Sequence, residues 1–259
     1  MRILIIILAF CVNALYGQSK IELTPLEKTP IDADRLISLD NQGNMFFIKD
    51  NALNQLRSGV TNNYADIPLG QIFSVDTFNP LKINIFYKDF NTVVILDNRL
   101  NEIYRLDFND IRPFRNIAFS STGNDNTLWL FNQNSLQLEI YDYKQDLTRG
   151  TTLPIENDPI AIESNFNSCW LLTEKQILTY SYFGSMISKV DNMGFTDLIE
   201  LNDNLILKKE NKLYFMFQDS GEFIQMDLPE LLIKAFFATD ETLYIYDGEF
   251  LHKYQIKII

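Results

Sequence analysis

The 259-residue sequence predicts an all-β protein, a six-bladed β-propeller with four-stranded blades of about 40 residues. Two observations carry that reading. A strongly apolar segment recurs six times, as Met45-Phe46-Phe47-Ile48, Ile85-Phe86-Tyr87, Leu128-Trp129-Leu130-Phe131, Cys169-Trp170-Leu171-Leu172, Leu205-Ile206-Leu207 and Leu243-Tyr244-Ile245-Tyr246, its first residues 40, 43, 41, 36 and 38 apart. The apolar runs after residue 17 are mostly four to seven residues long and alternating or continuous, as strands are, and very few windows show helical spacing. About 24 such strands are too many for one ordinary two-sheet sandwich.

The chain opens with Arg2, an apolar run from Ile3 to Val12, and a small residue at Gly17, so residues 1–17 read as a secretory signal peptide. Ten apolar residues span only about half of the hydrocarbon thickness, which argues against a membrane anchor. Cys11 follows the bulky Phe10, whereas a lipidated cysteine follows small residues. Removing residues 1–17 takes away Arg2 alone among charged residues, so the net charge moves from −12 to −13. One cysteine is left, Cys169, expected to be buried and inert within its apolar run. An exported chain with a single thiol has no internal disulfide, and packing must supply its stability.

Residues 18–259 are expected to form a single domain. An alternating stretch at residues 20–26, Lys20-Ile21-Glu22-Leu23-Thr24-Pro25-Leu26, precedes the first repeat and belongs to none. Within each repeat a polar turn follows the apolar segment, for instance Lys49-Asp50-Asn51 or Asp247-Gly248-Glu249, and Asn, Asp and Gly accept the positive φ of short hairpins. A third strand comes next, as in Thr92–Leu96, Gln137–Tyr141 and Lys212–Phe217, then a half-exposed outer strand such as Glu102–Leu106 or Glu222–Met226. After Leu243 there is room for a third strand, Phe250–Ile256, but not a fourth. Pairing residues 20–26 with 250–258 supplies it, closes the ring and removes two sheet edges. Pro25 suits an outermost strand, where its missing N–H faces solvent.

Twenty Phe and twelve Tyr spread along the chain exclude disorder, and the acidic balance argues against nucleic acid or an anionic membrane surface as partner. The period and pattern over residues 20–259 resemble the broad six-bladed β-propeller class of bacterial envelope proteins. No Gly-His to Trp-Asp pairing, Kelch double glycine or recurrent quinone-binding Trp signature ties the chain to a named family. Glycine is scarce, and asparagine is expected to fill many of the positive-φ positions.

Little in the sequence points to catalysis. His252 is the single histidine, which argues against a histidine metal site or a nucleophile–histidine pair, and there is no GxGxxG, GxxxxGK[ST] or GxSxG motif. Some propellers that resemble gluconolactonases hold a calcium ion in the central channel through Glu, Asn and Asp. By that resemblance Asp34, Asn116, Glu163 and Asp197, on or near the expected innermost strands, are the candidates for Ca2+. The segments Asp32-Ala33-Asp34 and Asn124-Asp125-Asn126 lack the spacing of a twelve-residue calcium loop and read as solvated turns. Trp129, Trp170, Tyr87, Phe47 and Tyr244 occupy matching places in the repeat, where core packing between blades accounts for them better than ligand stacking. Pro113, Phe114, Tyr182 and Phe183 are the candidates for an exposed apolar contact with a partner.

The expectation is an exported, non-enzymatic interaction module with no cofactor, a monomer within a larger complex, bound to an envelope or outer-membrane protein in the periplasm or at the outer membrane. The alternative is a lactonase- or esterase-like enzyme, or a ligand-binding propeller, with a divalent cation in a carboxylate-lined channel. The Asn-rich, Lys-over-Arg usage is in keeping with an AT-rich Gram-negative source of the Bacteroidetes type.

Overall fold

A computed structural model describes residues 20–40 and 43–259, so the signal peptide assigned to residues 1–17 lies outside the described residues. The described chain forms a ring of six four-stranded antiparallel sheets, a six-bladed β-propeller. Strand β1 (Ile21–Pro30) precedes the first blade, which is β2 (Arg35–Leu39), β3 (Met45–Lys49), β4 (Ala52–Arg57) and β5 (Val60–Tyr64). Blade 2 is β6 (Ser74–Asp76), β7 (Ile83–Tyr87), β8 (Thr92–Leu96) and β9 (Glu102–Asp107). Blade 3 is β10 (Ile117–Thr122), β11 (Thr127–Asn132), β12 (Gln137–Asp142) and β13 (Leu147–Thr151). Blade 4 is β14 (Pro159–Ser164), β15 (Ser168–Thr173), β16 (Gln176–Ser181) and β17 (Met186–Asp191). Blade 5 is β18 (Asp197–Leu201), β19 (Asn204–Lys209), β20 (Lys212–Met216) and β21 (Phe223–Gln225). Blade 6 is β22 (Ala235–Thr239), β23 (Thr242–Tyr246) and β24 (Phe250–Ile258), with β1 as its outermost strand.

The recurrent apolar segments are the second strands, buried on both sides because each blade is covered by two neighbours. Six hydrophobic clusters fill the six gaps between adjacent blades, the gap between blades 6 and 1 among them. Trp129 packs between blades 3 and 4 and Trp170 between blades 4 and 5, both almost wholly buried. Cys169 is fully buried beside them. These aromatic rings are core, as their repeat positions require.

Closure is a hydrogen-bonded ladder between the two ends of the chain. Strand β1 runs antiparallel to β24 from Ile21 opposite Ile258 to Pro30 opposite Phe250, four residues longer at its C-terminal end than the alternating stretch of the sequence. Pro25 stands opposite Tyr254 next to an irregularity in the ladder, where a missing N–H costs least. Ile21 is buried in the cluster between blades 5 and 6, so closure also adds core.

The hairpin turns take positive φ at Asp50, Asn51, Asn91, Asp125, Asp146, Asn202, Asp203, Glu210 and Asp240. Aspartate shares these positions with asparagine, because its side chain is equally short and bonds the local backbone. At Asp97 one carboxylate oxygen accepts the Arg99 and Asn101 amides at 2.8 and 2.9 Å. Each blade runs from the innermost to the outermost strand, so every first-to-second hairpin lies on one face, here the inner-hairpin face. Links between blades lie on the other, the crossover face.

Candidate functional site

The first strands of all six blades line a central channel, a cavity of about 350 Å3. Its wall is apolar in part, with Phe119, Ile162, Ile199 and Phe237, and acidic in part, with Asp76, Glu163 and Glu200. The three carboxylates belong to blades 2, 4 and 5 and sit at or next to the ends of their strands, toward the inner-hairpin face.

Asp76 is held by hydrogen bonds from blade 3 and its own turn. Its Oδ2 accepts the Thr122 amide at 2.7 Å and the Ser121 hydroxyl at 3.0 Å, and its Oδ1 accepts the Phe78 amide at 2.9 Å. Ser121 Oγ also lies 2.7 Å from Ser164 Oγ, carrying the network to blade 4. Ser38 and Thr77 share a 2.7 Å hydroxyl contact between blades 1 and 2. Glu200 Oε1 accepts the Asp203 amide at 2.7 Å and Asn165 Nδ2 at 3.3 Å, which ties blade 5 to blade 4.

Glu163 differs from both. Its side chain makes no hydrogen bond or ion pair among the described residues. Burial, then the charges of Asp76, Asp197 and Glu200, push its carboxyl well above the usual carboxylate range. Burial raises Glu200 as well, against the pull of its two hydrogen bonds. Among the described residues no three acidic, histidine or cysteine side chains converge closely enough to ligate one metal ion.

The four residues considered from sequence for calcium fall in different settings. Glu163 lines the channel. Asp197 opens β18 at the crossover end, reached by solvent yet crowded by protein. That crowding raises its carboxyl against the Leu198 amide and Lys208, which lower it. Asp34 is exposed and accepts the Asp50 amide at 2.8 Å, bracing the turn after β3. Asn116 is exposed just before β10, its carbonyl accepting the Gln133 amide at 2.8 Å. Asp76 and Glu200 escaped sequence reasoning. Asp76 precedes Ile85 by nine residues and Glu200 precedes Leu205 by five, so unequal hairpins hide their shared place in the repeat.

The apolar candidates separate onto opposite faces. Pro113 and Phe114 lie on the crossover face, Phe114 exposed and the loop pinned by Arg115, which donates to the Pro113 carbonyl at 3.0 Å. Tyr182 and Phe183 form the outer hairpin of blade 4 on the inner-hairpin face, their rings 3.9 Å apart and Phe183 71% exposed. The Tyr182 amide donates to the Asn167 carbonyl at 2.8 Å, which joins this loop to the inner hairpin that carries Phe166. Phe166 meets Phe78 edge to face at 4.8 Å, and both rings are partly exposed. Four aromatic rings therefore run from the channel mouth out along blade 4.

His252 lies in the third strand of blade 6, 2.7 Å from Asp247 Oδ2. It is not among the channel-lining residues.

No protein-family model matches the chain, and no curated protein does. Solved structures do, at identities that show the fold alone. A catalytically inactive variant of virginiamycin B lyase from Staphylococcus aureus, with quinupristin, has a TM-score of 0.64 at 11% identity, covering 92% of this chain and 99% of that one. BamB from Moraxella catarrhalis has a TM-score of 0.54 at 12% identity over 91% of this chain and 98% of that one. The Pan2 WD40 domain of Neurospora crassa has a TM-score of 0.57 at 8% identity, over 86% of this chain and 74% of that one.

Proposed function

We propose that the protein is a non-enzymatic binding propeller of the cell envelope that holds a partner protein on its inner-hairpin face. The observation that carries this reading is the run of partly exposed rings Phe78, Phe166, Tyr182 and Phe183 on that face. Leu81, 63% exposed, extends it at the blade 2 hairpin. Rigid aromatic side chains anchor protein interfaces because they bury much area and give up few rotamers. The signal-like residues 1–17 support placement in the envelope, and the acidic balance favours a partner with a basic rim.

A lyase-like activity has less support. The similar lyase is inactive when one histidine is replaced by alanine. The single histidine of this chain is bonded to Asp247 on an outer part of blade 6.

The test is affinity purification of the tagged protein from gently solubilised envelopes, with mass spectrometry, for wild type, Phe166→Ser/Phe183→Ser and Phe114→Ser. One protein recovered in stoichiometric amount by wild type and Phe114→Ser, and lost with the double variant, is the expected result. Loss with Phe114→Ser alone would move the interface to the crossover face. Recovery of the wild type by itself would end the scaffold reading.

A further inference from the structure

The carboxylates at the inner-hairpin end of the channel have no basic counterpart in the described chain. Neither Asp76, Glu163 nor Glu200 takes part in an ion pair among the described residues. No lysine, arginine or histidine is among the residues that line the channel, and the basic side chains of flanking strands and turns are engaged elsewhere. Arg35 donates to the Phe73 and Ile72 carbonyls at 2.9 and 3.2 Å, and Lys88 Nζ stands 4.6 Å over the Phe73 ring. Lys208 donates to the Ile233 carbonyl at 2.7 Å, and Lys82 donates to Asn126 Oδ1 at 3.1 Å. Negative charge gathered in a poorly solvated cavity without a counter-charge is costly, and a bound cation offsets that cost.

A second, uncharged feature points the same way. Ser120 is among the residues lining the same channel, it is only 8% exposed, and its hydroxyl oxygen is buried with no hydrogen-bond partner in the described structure. Buried polar groups of this kind are ordinarily satisfied, so an unmet hydroxyl in the wall that also carries Glu163 marks a place for a polar group of a ligand.

The shape of the site selects the kind of cation. A bare Ca2+ takes six to eight oxygens at short range, and no three acidic side chains here come together as ligands. Phe237 on the wall, with the Phe78–Phe166 pair at the mouth, instead suits an apolar stem carrying a diffuse positive charge. We infer that the inner-hairpin end of the channel binds an organic cation, an alkylammonium or guanidinium group, on Glu163 and Glu200 beneath Phe78 and Phe166. Glu163 offers both oxygens and Glu200 its Oε2, while the hydrogen bonds from Thr122, Ser121 and Phe78 keep Asp76 in place as a fixed neighbouring acceptor. The inference does not depend on the scaffold reading, since a free amine fills the site with no partner protein present.

Isothermal titration calorimetry on the full folded chain tests it. Spermidine represents a free amine and acetyl-Gly-Lys-Gly-amide a lysine delivered by a protein, with 1,4-butanediol and CaCl2 as controls. Saturable binding of at least one amine is expected, weakened tenfold or more in Glu163→Gln and in Glu200→Gln, with none for the diol. Preference for the peptide would make the cation a side chain of a partner, and preference for spermidine a free metabolite. Circular dichroism verifies that each variant folds, and the two variants report independently. The inference is overturned if neither amine binds, if both variants bind as the wild type does, or if Ca2+ binds more tightly than either amine.

Discussion

Phe78 and Phe166 belong to the second and fourth blades, with the third between them, yet their rings meet edge to face at 4.8 Å at the inner-hairpin mouth of the channel. Each ring is close to 40% exposed, at 39% and 43%, so the contact is made at the surface rather than in the core. It couples two hairpins that share no sheet. A double-mutant cycle of Phe78→Ala and Phe166→Ala by chemical denaturation is expected to give a coupling energy of about 0.5–1.5 kcal/mol. Additive single effects would mean that the contact contributes nothing to stability.

Stability should respond to pH in opposite directions below the ordinary aspartate value and above the ordinary glutamate value. Asp247, lowered to about 2 with hydrogen bonds from His252 and the Phe250 and Glu249 amides opposing its burial, contributes stability present above the ordinary aspartate value of 3.8 and lost as pH falls toward 2. Glu163 runs the other way. Its folded-state value is raised, so the folded protein binds more protons than the unfolded one, and stability falls as pH climbs above the ordinary glutamate value of 4.5.

The ionisable groups electrostatically linked to Glu163 are Asp76 from β6, Asp197 and Glu200 from β18, and the Cys169 thiol from β15. None of them supplies positive charge. Glu163→Gln is therefore expected to flatten the fall in melting temperature between about pH 5 and 8. At pH 7.5 the variant should melt at least ~2 °C above wild type, the scale of one-half to one kcal/mol in a chain of this size. Superimposable thermal melts across pH 4–8 would show that Glu163 is not strained.

Ring closure places a large demand on few residues. Ile21 is 3% exposed between blades 5 and 6 and starts the ladder opposite Ile258. Ile21→Ala should cost about 2–4 kcal/mol by removing buried methyl groups, read as a lowered denaturation midpoint. Deleting residues 20–30 should do more, exposing the whole edge of β24 and causing concentration-dependent association in light scattering. A truncated chain that stays monomeric and equally stable would contradict the closure.

Blade 3 holds a buried ion pair that fixes the crossover loop carrying Phe114. Arg115 Nε is 2.8 Å from Glu139 Oε2, and Asn132 Nδ2 donates to Glu139 Oε1 at 2.7 Å. The guanidinium also donates to Thr148 Oγ1 at 3.0 Å and stands 4.9 Å over the Tyr141 ring. Glu139→Ala leaves Arg115 buried and unpaired and should cost about 3–5 kcal/mol, whereas Arg115→Met with Glu139→Leu should recover most of that loss. A double variant as unstable as the single one would show that packing, not charge, sets the cost.

The repeat, the number of blades and the closing strand were legible in the amino-acid order because they rest on local physics. The second strands are sandwiched between neighbours, so they read as continuous apolar runs such as Leu128–Phe131. The alternating stretch from Lys20 to Leu26 and the missing fourth strand after Phe250 could be matched by counting. The channel is another matter. Asp76, Glu163 and Glu200 come from three blades, and hairpins of unequal length shift their distance from the apolar segments. Bulges between Leu36 and Ser38, Ile117 and Phe119, and Pro159 and Ala161 change which side chains of the first strands turn inward. Sequence alone therefore determined the architecture of this chain, since period and alternation are properties of a single blade. Only the tertiary structure decided that Phe78 meets Phe166 and that Glu163 shares one channel with Asp76 and Glu200, because both depend on the angular placement of whole blades around one axis.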